Sequence, residues 1–305
     1  MDSRYNPTTP KDTYTISPLS GKRLASIVNG LPVLIMALTM LSLPFPVFAV
    51  GDIAISPTRI VFEGRDRTAR ISLTNTSATT KTYRISWARK RMNEAGKYED
   101  INSALPQERF SDTMIRFSPR QVTLPPGKPQ VVRLLLRKPN GLPDGEYRSY
   151  LRFTAIPDTG GRSLETTLNA GQGDMSIRLT PVMSLSIPVI VRQGQTRASV
   201  KLTQLSLKNR GHDNQRLVMV FERSGNRSLY GDVIATYHPA NGQTRVVGQA
   251  IGVAIYPPLE RRRFELPLAA EHLSNGRLEV RFRTREASGS HTGNAVMATA
   301  GLTLP

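Results

Sequence analysis

An all-β fold in two sandwich domains is predicted by three observations. The first is the stretch from Met175 to Arg192, MSIRLTPVMSLSIPVIVR. In it Met175, Ile177 and Leu179, then Met183, Leu185 and Ile187, fall on one face at a period of two. Second, short strand-like stretches recur in two sets of about seven, punctuated by Gly, Pro, Asn and Asp. Third, helical periodicity is almost absent, and only Leu268 to Leu273 could form a single turn. The stretch from Met175 is longer than an ordinary strand and is expected to end at Pro188. It reads as the last strand of a first domain, running into the hinge to a second. The 305 residues have room for both.

The chain divides into three parts. Residues 1–21 are polar and rich in Pro, Ser and Thr, and Lys22 and Arg23 precede a run that is uncharged from Leu31 to Ala49. This is the pattern of a secretory signal with an overlong leader, with Val47-Phe48-Ala49 before the cut. A membrane anchor is the alternative, against which Pro44 and Pro46 break the end of the run. The expected divisions are 1–49 leader and signal, 50–188 first domain and 189–305 second domain.

In the first domain, IAISPTRIVF is the opening strand, and Pro57 inside it implies an edge position or a strand that switches sheets. Thr68 to Leu73 alternates again and turns at Asn75-Thr76-Ser77. Thr82 to Ala88 puts Tyr83, Ile85 and Trp87 on one face, with Trp87 read as a core aromatic between two sheets. Residues 91–112 are polar around the turn signal Asn93-Glu94-Ala95-Gly96. Met114 to Phe117, Gln121 to Leu124, Gln130 to Arg137 and Tyr147 to Ile156 complete the set, with a hard turn at Pro125-Pro126-Gly127. Tyr147 follows an Asp-Gly turn, as in the tyrosine corner of immunoglobulin-like sandwiches, where the hydroxyl ties the loop to the backbone.

The second domain repeats the design at Ala198 to Leu207, Arg216 to Glu222, Leu229 to Tyr237, Thr244 to Ile255, Arg262 to Leu266, Arg277 to Arg283 and Ala295 to Leu304. The segment from Leu273 to Leu278 echoes Leu142 to Tyr147, with Leu in place of the Tyr. The short join VIVRQG leaves little slack, so the domains are expected to meet at a fixed angle with a cleft between them.

Composition narrows the chemistry. There is no Cys, so disulfides, Cys-ligated metals and thiol nucleophiles are excluded. His212, His238, His272 and His291 are singletons without ligand spacing and read as surface residues, so no metal or cofactor is expected. No nucleophile elbow, P-loop or dinucleotide fingerprint occurs, and the protein is not read as an enzyme. The net charge is +18, of which residues beyond 49 carry +16. The basic residues, among them Arg133, Arg148, Arg152, Arg281 and Arg283, are interleaved in strands and read mostly as solvated faces. A charge-complementary protein or a membrane surface is the expected partner, not nucleic acid. Arg59, in the Pro-broken first strand, either clamps a carboxylate in the cleft or is a solvated edge arginine. Met175, Ile177 and Leu179 either meet a partner strand or close the first domain's own core.

The segments SPTRIVF at 56–62, ISLTNTS at 71–77, Tyr83 to Trp87, FSPRQVTLPPGKPQVVRL at 117–134, LPDGEYRSYLRFTAIP at 142–157 and SIPV at 186–189 carry a resemblance. The chain resembles periplasmic pilus-assembly chaperones of the PapD-like family, and within it the archaic branch. The resemblance implies two immunoglobulin-like β-sandwich domains arranged in an L with an interdomain cleft. It implies a periplasmic chaperone that binds secreted β-sandwich pilus-type subunits, donates a β-strand to them and delivers them to an outer-membrane usher. The alternative is an exported structural or adhesive sandwich protein. Free, the chaperone would be a monomer or a self-capping dimer. The implied donor residues are Met175, Ile177 and Leu179 with Met183. The family's first carboxylate anchor falls on Arg59. The second has no match in the uncharged run from Leu179 to Val191, and the nearest cations are Arg178 and Arg192.

Overall fold

The computed structural model describes residues 52–157, 182–209, 215–269, 273–285 and 296–305. The predicted signal segment, Met175, Ile177, Leu179, Arg178, and His212, His272 and His291 lie outside them. The described chain is all-β apart from a single 3-10 turn at Asp112–Met114.

The first sandwich opens with β1 (Ile53–Ser56) and β2 (Ile60–Phe62) on either side of Pro57. The chain switches sheets there, as that proline suggested. β1 pairs with β3 (Thr68–Asn75), which pairs with β9 (Pro129–Leu136), which pairs with β7 (Ile115–Ser118). The facing sheet runs β2, β11 (Ser184–Gln193), β10 (Gly145–Ile156), β4 (Lys81–Ala88) and β8 (Gln121–Leu124). Alternating residues of both sheets fill one core, including Phe62, Ile71, Leu134, Leu151, Phe153 and Val191. Trp87 packs at the margin of this core, edge-on to Phe117 of the opposite sheet at 5.5 Å.

Two features differ from the sequence reading. The last strand does not stop at Pro188 but runs through it to Gln193, with Pro188 opposite Tyr150. A proline is tolerated where one side of a strand lacks a ladder partner, and β2 reaches β11 only from Val189 to Val191. The polar stretch after Ala88 contains a small hairpin, β5 (Lys90–Met92) and β6 (Tyr98–Asp100), closed by Asn93 to Gly96 as the turn signal implied. Strands of three residues are too short for alternation to show.

All seven strands of the second set are present: β12 (Ala198–Asn209), β13 (Gln215–Gly225), β14 (Leu229–Pro239), β15 (Arg245–Ile255), β16 (Arg261–Pro267), β17 (Gly276–Thr284) and β18 (Val296–Leu304). They form sheets β12-β13-β16 and β15-β14-β17-β18 around Phe221 and Phe282, whose rings meet edge-on at 5.3 Å. His238 is half-buried on β14 rather than on the surface, its Nδ1 3.1 Å from the Thr244 hydroxyl.

The tyrosine corner is present. The Tyr147 hydroxyl donates to the Pro143 carbonyl at 2.9 Å. The second sandwich makes the same tie from a different strand. Leu278 stands where the Tyr would be, and its cross-strand partner Tyr237 donates to the Ser274 carbonyl at 2.6 Å. Tyr147→Phe removes one such bond without changing the side-chain volume much. It is expected to lower stability by about 1 kcal/mol, read as a shifted urea midpoint at unchanged slope.

Candidate functional site

The site has two parts, an open strand edge and a buried cationic seam. β11 pairs with β10 along its whole length, from Gln193 opposite Gly145 to Ser184 opposite Thr154. On its other side β2 covers only Val189 to Val191. Among the described residues, no strand pairs with that edge from Ser184 to Pro188. Ile187 and Val189 lie in the core, while Leu185 and Met183 continue the same parity outward at 43% and 60% exposure. Of the four expected donor residues, Met183 is thus the described one. It is exposed, and its carbonyl accepts the Ala155 N–H at 3.0 Å.

Arg59, which follows Pro57 and precedes β2, is only 9% exposed and reaches across to the second sandwich. Its Nη1 donates to the Tyr256 hydroxyl at 2.7 Å and its Nη2 to Ser228 Oγ at 3.0 Å. The guanidinium lies 4.7 Å from the Tyr230 ring centre and 5.3 Å from that of Tyr256. A weakly hydrated planar cation is suited to such a place, because aromatic faces attract it where water cannot.

Ser228 relays this contact to a carboxylate. Its N–H and hydroxyl both donate to Glu146 Oε2, at 3.0 and 2.7 Å. Glu146 opposes Arg192 in the β10–β11 ladder, and Arg192 Nε stands 3.4 Å from the same oxygen. Arg192 Nη1 reaches Glu63 at 3.2 Å. Burial pulls the Arg192 pKa below its ordinary value, with Glu146 opposing that shift. Arg192 is therefore committed to two carboxylates, and the other oxygen of buried Glu146 has no partner among the described residues.

Arg148 is the residue that sequence reading missed. It was read as a solvated strand cation, but it is half-buried with its guanidinium 4.1 Å from the Tyr256 ring centre, on the ring that Arg59 also approaches. Its Nη1 donates to the Pro257 carbonyl at 3.3 Å, and its buried Nε has no partner among the described residues. Arg152 likewise is not free, being paired with Asp100. No period-two pattern could single out Arg148, because the outward face of a strand in one sandwich is covered here by the other. The covering is apolar as well: Met92, Ile190, Ala254 and Tyr256 form a core of their own between the sandwiches. Beside it, burial pushes the Tyr150 phenol well above its ordinary pKa.

Among the described residues, no group of three or more His, Asp or Glu side chains could hold a metal ion. The sheet orders define a protein of two β-sandwiches of the immunoglobulin-like type. Residues 52–196 match the family described as pili and flagellar-assembly chaperone, PapD N-terminal domain, which makes the first sandwich a domain of that family. Solved structures similar to the chain include the YadV chaperone, at 12% identity over 83% of this chain and 100% of that one, TM-score 0.43. Others are the Pseudomonas aeruginosa CupB2 chaperone, at 14% over 82% and 100%, TM-score 0.40, and the E. coli chaperone DraB, at 13% over 83% and 96%, TM-score 0.39. No curated protein matches the sequence.

The buried pair makes a prediction of its own. Arg192→Gln leaves Glu146 buried without its cation and is expected to cost about 3 kcal/mol in denaturant unfolding. Adding Glu146→Gln should recover most of that loss, since neither charge then remains to be compensated.

Proposed function

We propose that the protein is a periplasmic chaperone that captures secreted pilus-type subunits by lending them a strand. The observation that carries this reading is the edge of β11 from Ser184 to Pro188, which no strand pairs among the described residues, with Met183 and Leu185 exposed beside it. An exposed apolar edge is an aggregation hazard unless it has a partner. A β-sandwich subunit lacking one strand is complementary to it. Main-chain hydrogen bonds would supply the affinity, and alternate apolar side chains would fill the subunit's groove. Met175, Ile177 and Leu179 continue the parity of Met183 and are the proposed donors.

The subunit's terminal carboxylate is held, in this reading, by Arg59 together with Arg148. Arg59 uses two of its N–H groups in the seam, and Arg148 has an unpartnered Nε and a long bond to Pro257. Both retain donors, whereas Arg192 is engaged by Glu63 and Glu146. The loaded chaperone would then pass its subunit to an outer-membrane usher, after export and removal of residues 1–49.

The test is a pull-down of tagged protein from periplasm that co-expresses the neighbouring secreted genes, read by mass spectrometry. A stoichiometric small β protein is expected. Ile177→Asp should abolish its capture, because a charge would enter an apolar groove. Arg148→Gln and Arg59→Gln should each weaken capture about thirtyfold or more, with circular dichroism confirming that the variants fold. An empty pull-down from folded protein with all neighbours present would reject the chaperone reading. Normal capture by Arg148→Gln would reject its part in the anchor alone.

A further inference from the structure

The outward face of the other sheet of the first sandwich carries a charge pattern that subunit capture does not use. Arg70 on β3 and Arg133 on β9 are direct cross-strand partners. Arg116 on β7 opposes Leu135, the next outward residue of β9, and Ser118 opposes Arg133. The three arginines are exposed and line a groove of about 450 Å³ that includes no acidic residue. None of their guanidinium groups makes a hydrogen bond or ion pair among the described residues. Arg89, Arg91, Arg152 and Arg192 of the same sandwich each meet a carboxylate.

Like charges directly opposite one another in a sheet are destabilising. Folding therefore gives no reason for Arg70 beside Arg133, and an anion supplied from outside does. The face is also apolar. Val131 and Leu135 flank Arg133 on β9 and are 40% and 46% exposed. Guanidinium forks match phosphate oxygens, and apolar side chains among them match the boundary between headgroups and acyl chains.

We propose that the outer face of β3, β9 and β7 docks the protein on anionic phospholipid bilayers, with lipid phosphodiester groups held by Arg70, Arg133 and Arg116. The net charge of +16 on the residues beyond 49 adds long-range attraction to the same surface. This docking does not depend on subunit capture and uses none of its residues.

The test is co-sedimentation of the protein, purified from the periplasm, with phosphatidylcholine vesicles with and without phosphatidylglycerol, at physiological salt. Binding is expected only to the vesicles containing phosphatidylglycerol. Arg70→Gln with Arg133→Gln should weaken it about thirtyfold, from the known contribution of each basic residue near an anionic surface. The charge-matched pair Arg281→Gln with Arg283→Gln, on exposed positions of β17, should weaken it only a few-fold. All variants share one N-terminus, and all should still capture subunits. Equal losses in the two pairs would reduce the effect to net charge and overturn the proposal. So would equal binding to neutral vesicles or none to anionic ones. Arginine-dependent binding of poly-glutamate with vesicles left unbound would overturn it in favour of an acidic protein partner.

Discussion

The ladder between β10 and β11 is the constraint on which both parts of the site depend. Its register sets Glu146 beside Arg192, Tyr147 beside Val191 and Arg148 beside Ile190. Side chains alternate along a strand, so Tyr147 faces the sandwich core while Glu146 and Arg148 face the second sandwich. A slip of one residue would exchange these faces, placing a guanidinium in the core and a tyrosine in the seam. The same ladder secures β11 from one side only. With β2 confined to three positions on the other, the strand is held firmly and still presents an edge that no strand pairs among the described residues.

The seam shows how charges are kept in a buried place. Removing a cation or a carboxylate from water is costly unless each is hydrogen-bonded or paired. Here Arg59, Ser228, Glu146 and Arg192 form one continuous chain of contacts, and Ser228 serves as acceptor for the first and donor to the second. The aromatic faces of Tyr230 and Tyr256 supply the remainder. Ser228, Tyr230 and Tyr256 all belong to the second sandwich. Its contribution is therefore to complete the surroundings of cations carried by the first. The small apolar core of Met92, Ile190, Ala254 and Tyr256 holds that arrangement in place.

Most of the architecture was legible because each long strand has one face in a core, and a period of two reports that directly. Strands such as β14 and β17 fall within a few residues of the expected limits. Arg59 drew notice for a different reason, since a proline just before it breaks the strand and sends the chain between sheets, but the sequence left open whether it faced the cleft or solvent. What alternation cannot report is contact made after the sandwiches have formed. Arg148 and Arg152 share a strand face and look alike in sequence, yet one stacks on a tyrosine of the second sandwich and the other pairs with Asp100 of β6. The β5–β6 hairpin was hidden for the same reason. Tyr98 on it packs against Tyr150 and Tyr256, so its justification lies in contacts distant in sequence.

The arginines of the first sandwich thus serve physically separate ends. Some neutralise carboxylates, two stack on a ring in the seam, and three stand unpaired on an outer face. Net charge does not distinguish these groups, whereas their partners do. The unpaired three lie on the sheet β1-β3-β9-β7, and the open edge belongs to the sheet β2-β11-β10-β4-β8. The two surfaces lie on opposite layers of one sandwich, so an anionic surface held by the first does not compete for the strand edge of the second. A protein bound in that way would keep β11 available while resting against a membrane.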